Sequence, residues 1–190
     1  LEQVPERVIV VLDEAYFEYA SHPAMQAEGY PDGMQLLRYP NLIVSRTFSK
    51  AYGLAGLRVG YAVSNAQIAD VLNRVRQPFN VNSLALLAAS AALHDNAHID
   101  NSVRLNAAGM AHLYEAFASM QLDFIPSAAN FIAFDVGQPA APVYQALLKH
   151  GIIVRPVANY EMPNHLRVTI GTERENGMFL AALQTVLKSA

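Results

Sequence analysis

The 190 residues include no cysteine and no tryptophan. The first absence removes disulfide frameworks, thiolate-bound zinc, iron–sulfur clusters and thiol nucleophiles, and it suits a reducing compartment. Charge is scarce as well: 15% of residues are charged, with 13 Lys plus Arg against 16 Asp plus Glu, a net charge of −3. With no basic excess to neutralise phosphates, nucleic acid is not an expected partner. Every apolar run breaks before the roughly 18 residues of a spanning helix, so no membrane association is expected. Residues 1–7 carry Glu2 and Glu6 without a basic start and apolar stretch, and do not read as a signal peptide. What is plentiful is hydrophobic surface, at 53%. That is enough for a real core, which argues against disorder and leaves a cytoplasmic globular protein of one or two domains.

Residues 8–12 (VIVVL) and 42–47 (LIVSRT) are short β-branched runs bounded by polar residues, and read as buried strands. Between them Gly29-Tyr30-Pro31-Asp32-Gly33 is loop chemistry, and 34–39 leaves room for a helical turn or two before Pro40. The pattern is that of strand, crossover and strand in a parallel α/β sheet. A third strand over 57–64 and a helix over 65–76 follow, the helix stopped near Pro78. From 83 to 120 alanine-rich sequence at helical spacing, with Gly109 its interior weak point, predicts one long helix or two with a break near 94–96. Beyond it, 122–125, 130–136, 152–155 and 165–170 read as strands, and 141–150 and 172–188 as helices, a small α+β unit. The domain boundary is expected near Val81, dividing residues 1–80 from 81–190.

Chemistry concentrates where the second strand ends. Ser45-Arg46-Thr47-Phe48-Ser49-Lys50 puts a lysine and hydroxyls at a strand's carboxyl end, where open α/β sheets bind ligands. Thr47 and Ser49, with Arg58 close behind, suit an anionic group, since hydroxyls donate and a guanidinium adds bidentate charge. A solvated surface turn is the bland alternative. Asp13 ends the first strand, so in a parallel sheet it reaches the same edge, with Tyr16 three residues on. Gly53, Gly56 and Gly60 keep the following backbone free of bulk, yet neither GxGxxG nor GK[ST] occurs. His94 and His98 have the i, i+4 spacing of a metal pair, but without an intervening glutamate or a third ligand they read as a solvated helix end, and no metal site is expected.

The string from Ser45 to Tyr61 (SRTFSKAYGLAGLRVGY), with Asp13-Glu14-Ala15-Tyr16 upstream, resembles the cofactor-lysine region of fold-type I pyridoxal-phosphate aminotransferases, and more narrowly the histidinol-phosphate branch. Further similarities lie at Gln77-Pro78-Phe79-Asn80-Val81-Asn82, Ala129-Asn130-Phe131, Gly151 to Arg155 and Leu166-Arg167-Val168. The resemblance implies a fold of α/β class: the carboxyl-terminal part of a large, mostly parallel-sheet, cofactor-binding domain (1–80), then an interdomain helix and a small α+β domain (81–190). It implies pyridoxal 5'-phosphate as cofactor. Lys50 would be the catalytic lysine that bonds the cofactor and then moves a proton between it and the substrate. Asp13 would pair with the pyridine nitrogen, Tyr16 with the ring oxygen, and Thr47, Ser49 and Arg58 with the phosphate. Arg155 and Arg167 would grip the anionic end of the substrate, with Asn130 lining the same pocket.

The implied reaction is transamination between histidinol phosphate and 2-oxoglutarate or glutamate in histidine biosynthesis, in a homodimer. Such enzymes carry a long segment before the strand that ends in the cofactor aspartate. The resemblance therefore implies the carboxyl-terminal half of an enzyme, inactive as an isolated chain. The strands at 8 and 42 are then expected to lack sheet neighbours, with 1–61 self-associating or loosely packed and the unit after Val81 more self-sufficient. Three alternatives remain open: an aromatic amino acid aminotransferase, a threonine-phosphate decarboxylase of the same fold, and a non-catalytic fragment.

Overall fold

The computed structural model describes residues 1–25 and 29–188. The chain divides into two compact units, Leu1–Val103 and Arg104–Ala190. The sequence reading places its boundary earlier, near Val81, at the start of the helical stretch.

The first unit contains β1 (Val10–Asp13), a short α1 (Phe17–Ala20), β2 (Leu42–Thr47), β3 (Gly60–Ser64), α2 (Ala66–Val75), α3 (Ser83–Ala92) and the first turns of α4 (Asn96–Ser119). β1 and β2 are parallel, with Asp13 opposite Ser45, as the crossover pattern predicts. β3 is antiparallel on the other side of β2, with Thr47 opposite Gly60. The strand at 42 is thus paired on both sides, contrary to expectation, and β1 and β3 are the edges of the sheet. β3 also starts later than its sequence suggests. Residues Ala55–Leu57 form a 3-10 turn, and Arg58 takes a left-handed backbone, φ 54°, that redirects the chain. Gly60 then runs so close to β2 that a Cβ would stand 2.8 Å from the Arg46 carbonyl oxygen, so a side chain has no room there.

Asn65 and Asn82 cap α2 and α3, their Oδ1 atoms accepting from the amides of Ile68 and Ala85, both at 2.9 Å. The break before α4 is also a cap: the His98 amide donates to Asp95 Oδ1 at 3.0 Å. Burial is thin here. α2 buries no residue and α3 only Ala85 and Ala89. Among the described residues, Phe48 and Val59 cluster with those alanines, Tyr19 and Ala51 cluster with Val103, and Leu42 and Val44 of β2 are buried as well.

The second unit adds β4 (Phe124–Ile125), β5 (Phe131–Asp135), α5 (Ala140–Lys149), β6 (Arg155–Pro156), β7 (His165–Thr169) and α6 (Glu173–Lys188). Its sheet is antiparallel in the order β4-β5-β7-β6. Alternation sends Ile132 and Phe134 of β5 and Leu166 and Val168 of β7 inward. Phe117 is fully buried, stacks on Phe134 at 4.7 Å and meets Phe179 edge-on at 6.2 Å. Gly109, the apparent weak point of the long helix, is a close-packing site: a Cβ would come within 2.6 Å of Ile170 Cγ2. Of the strand read over 152–155, only Arg155 enters the ladder, where Pro156 joins it. No described helix is long and apolar enough to cross a membrane.

Candidate active site

The parallel pairing of β1 and β2 sets the first unit's chemistry. Because alternate side chains of a strand face opposite ways, Asp13 and Ser45 share one face of the sheet and Glu14 and Arg46 the other. On the first face Asp13 Oδ1 accepts from the Ala15 amide at 3.1 Å and from Ser45 Oγ at 3.5 Å. The chain then turns into α1, and Lys50 Nζ lies 5.0 Å from the centre of the Tyr16 ring. Thr47 Oγ1 accepts from the Ser49 amide at 3.1 Å, shaping the turn that presents Lys50. Arg58 Nη1 donates to Ser49 Oγ at 3.5 Å and to the Ala55 carbonyl at 2.9 Å. A left-handed arginine is strained backbone, and strain of this kind gathers at ligand clamps.

Three groupings result: Asp13 with Ser45, Tyr16 with Lys50, and Thr47, Ser49 and Arg58. An acid, a phenol, an amine and an arginine with hydroxyls are the donor set a phosphorylated pyridine needs: a carboxylate for the ring nitrogen, a phenol for the ring oxygen, an amine for the aldehyde and cationic donors for the phosphate. Asp13, Lys50 and Arg58 are all exposed.

Behind this face is a buried cluster that the sequence reading missed. Glu14 is 1% exposed. Its Oε1 accepts from the Gly33 amide at 2.7 Å, and its Oε2 from Arg46 Nε and Nη2 at 2.9 and 2.7 Å. Arg46 Nη2 also reaches Asp32 Oδ1 at 2.6 Å, and its guanidinium lies 3.3 Å from the centre of the Phe17 ring. Burial alone would lower the proton affinity of Arg46, but hydrogen bonding to Glu14 and that residue's charge hold it above its ordinary value. Glu18 Oε2 is buried without a hydrogen-bond partner. Burial pushes its carboxyl up, the nearby charge of Glu14 adds to this, and Arg46 opposes it. The signal available in the sequence was alternation: charged residues next to Asp13 and Ser45 must face the opposite side.

In the second unit Arg155 and Arg167 are opposite residues of the β6–β7 ladder. Like charges facing each other on a sheet repel, and Arg167 Nε is buried without a hydrogen-bond partner. The Arg167 guanidinium lies 4.5 Å from the centre of the Phe131 ring, adjacent to Asn130, whose carbonyl accepts from the Ile170 amide at 2.9 Å. Two arginines opposite each other concentrate positive charge, and guanidinium groups suit anions. None of the three residues lines the cavity of about 450 Å³ bounded by Ile152, Val168, Gly171 and Asn176. Of the histidine pair, His98 Nε2 lies 3.2 Å from the Ala51 carbonyl, and among the described residues no three His, Cys, Asp or Glu side chains gather as metal ligands.

Comparison with known proteins follows the same lines. The model of the family "Aminotransferase class I and II" matches residues 1–183. The chain is 62% identical over 188 residues to histidinol-phosphate aminotransferase 2 of Pseudomonas fluorescens Pf0-1, covering 98% of this chain and 50% of that protein. It is 57% identical over 188 residues to histidinol-phosphate aminotransferase 2 of Methylococcus capsulatus, covering 98% and 49%. A crystal structure of histidinol-phosphate aminotransferase from Sinorhizobium meliloti in complex with pyridoxal-5'-phosphate superposes with a TM-score of 0.87 at 33% identity, over 99% of this chain and 51% of that one. The chain spans about half the length of the curated relatives it matches. With its fold, its lysine-bearing strand end and the family match in agreement, this chain belongs to the class I and II aminotransferases.

Proposed function

We propose that the chain carries the lysine-bearing part of a pyridoxal-phosphate-dependent transaminase acting on histidinol phosphate with 2-oxoglutarate or glutamate, in histidine biosynthesis, as part of a cytoplasmic homodimer. Residues 1–80 are its share of the cofactor-binding domain, and 81–190 the interdomain helix and small domain. The observation that carries the reading is the set of three groupings near the carboxyl ends of β1 and β2: Asp13 with Ser45, Tyr16 with Lys50, and Thr47 with Ser49 and Arg58.

When bound, pyridoxal phosphate supplies an electron-accepting ring that stabilises negative charge at the substrate α-carbon. Lys50 Nζ would carry the proton taken from the substrate α-carbon. The Asp13 carboxylate would pair with the ring nitrogen and the Tyr16 hydroxyl would donate to the ring oxygen. Thr47, Ser49 and Arg58 would hold the phosphate. Arg155 and Arg167 take the anionic group of the substrate, a phosphomonoester in histidinol phosphate and a carboxylate in glutamate, with Asn130 beside them. The unused Nε of Arg167 supports this role. The 190 residues alone are inactive in this reading, since Asp13, Lys50 and Arg58 are open to water and such a site cannot shield the chemistry.

The relatives' names favour histidinol phosphate over the aromatic amino acid and threonine-phosphate alternatives. The test is a half-reaction on the gene product that carries this chain. Histidinol phosphate should bleach the visible cofactor band at least about tenfold faster than phenylalanine, with no carbon dioxide released from O-phosphothreonine. Equal rates, or decarboxylation, would overturn the substrate assignment.

A further inference from the structure

The two faces of the β1–β2 ends have different jobs. Asp13 stands toward the site, while Glu14, the next residue, is buried on the far side with both carboxylate oxygens engaged. Arg46 lies between Ser45 and Thr47 on β2 and holds Glu14 through two nitrogens. The same guanidinium reaches Asp32 and packs on Phe17, the residue after Tyr16. One side chain therefore ties together the end of β1, the entry to α1 and the 32–33 turn, all from the strand that leads to Lys50. A forked, planar donor fixes direction as well as distance, which a greasy contact or a single ammonium does not.

The geometry points to Arg46 as a positioning residue for the cofactor: by gripping Glu14 from behind the sheet, it sets where Asp13 and Tyr16 stand relative to Thr47 and Lys50. It touches neither cofactor nor substrate and acts through the residues beside its partners. The inference rests on the proposed pyridoxal-phosphate site, so its test must separate the two.

The test uses the gene product that carries this chain, with pyridoxal phosphate as probe. Lys50→Ala examines the site alone: if borohydride still fixes the cofactor to the same peptide, the site reading fails whatever Arg46 does. Arg46→Lys keeps a positive charge but loses the fork. It should weaken pyridoxal-phosphate binding about tenfold and move the pH midpoint of the bound cofactor's visible absorbance by about half a unit or more. Glu14→Leu combined with Arg46→Met removes both charges, so neither is buried alone. It should show the same two changes with an unaltered far-ultraviolet circular dichroism spectrum. A merely structural role would move the melting temperature and leave the midpoint in place. Wild-type affinity and midpoint in the folded double variant overturn the proposal; should that variant not fold, the same result in Arg46→Lys overturns it.

Discussion

The two units of this chain are stabilised in opposite ways. The second closes a four-stranded antiparallel sheet over an aromatic centre of Phe117, Phe134 and Phe179, with Leu147, Leu166 and Leu183 fully buried. The first has a three-stranded sheet, small apolar clusters among its described residues and an ion cluster of buried Glu14 with the partly exposed Arg46 and Asp32. Its apolar residues are largely outside: Leu84 and Leu87 are 72% and 68% exposed and Val11 on the edge strand 61%. Among the described residues, the unit that carries Lys50 is thus the one with fewer large side chains buried.

The sharpest way to test the comparison is to remove an aromatic from the better packed unit. Phe117→Ala should cost about 3–5 kcal/mol, read as the loss of denaturant stability in residues 104–190. A cost below about 1 kcal/mol would mean that the aromatic centre is not what holds that unit. Next in size is the contrast between units within one molecule. In the monomeric chain, amides of β5 and β7 should exchange at least about a hundredfold more slowly than those of β1. The reverse order would break the comparison outright.

A smaller effect probes packing beside the long helix. Gly109→Ala forces a methyl against Ile170 Cγ2 and Asn176 Nδ2 and should destabilise the second unit by about 1–3 kcal/mol. An alanine accommodated without cost would show slack there. The smallest concerns Glu18. Burial raises its carboxyl above the ordinary 4.5, so the folded state binds this proton more tightly than the unfolded chain does. That contribution is present in acid and is lost as pH rises through the raised value. Glu18→Gln, neutral throughout, should therefore gain melting temperature over the unsubstituted chain at about pH 8 and gain nothing at about pH 4. An advantage confined to acid would contradict a carboxyl raised by burial.

Much of this was legible in the sequence, for identifiable reasons. β-Branched composition marked residues 42–47, which form β2 with the same bounds. Helical spacing left one long helix or two with a break near 94–96; the chain has the break, and Asp95 makes it as a cap. The start of β3 was misjudged because an apolar run from Leu57 says nothing about a left-handed turn at Arg58. The strand read over 152–155 survives only at Arg155, because a β-branched run resembles a strand whether or not a neighbour is there to pair with it. At the site, the residues of the lysine motif were visible as a string. The Glu14–Arg46 pair was not, because its members lie 32 residues apart and meet only once the register of β1 on β2 is known. Nor could sequence alone reveal that Arg155 and Arg167 face each other across a ladder.

The most direct measurement is covalent trapping in the gene product that carries this chain. After incubation with pyridoxal phosphate and reduction with borohydride, peptide mapping should find the phosphopyridoxyl group on the peptide containing Lys50, and Lys50→Ala should abolish it. The lysines of the chain are Lys50, Lys149 and Lys188. Label on Lys149 or Lys188 with Lys50 unmodified, or no label at all, would contradict the account.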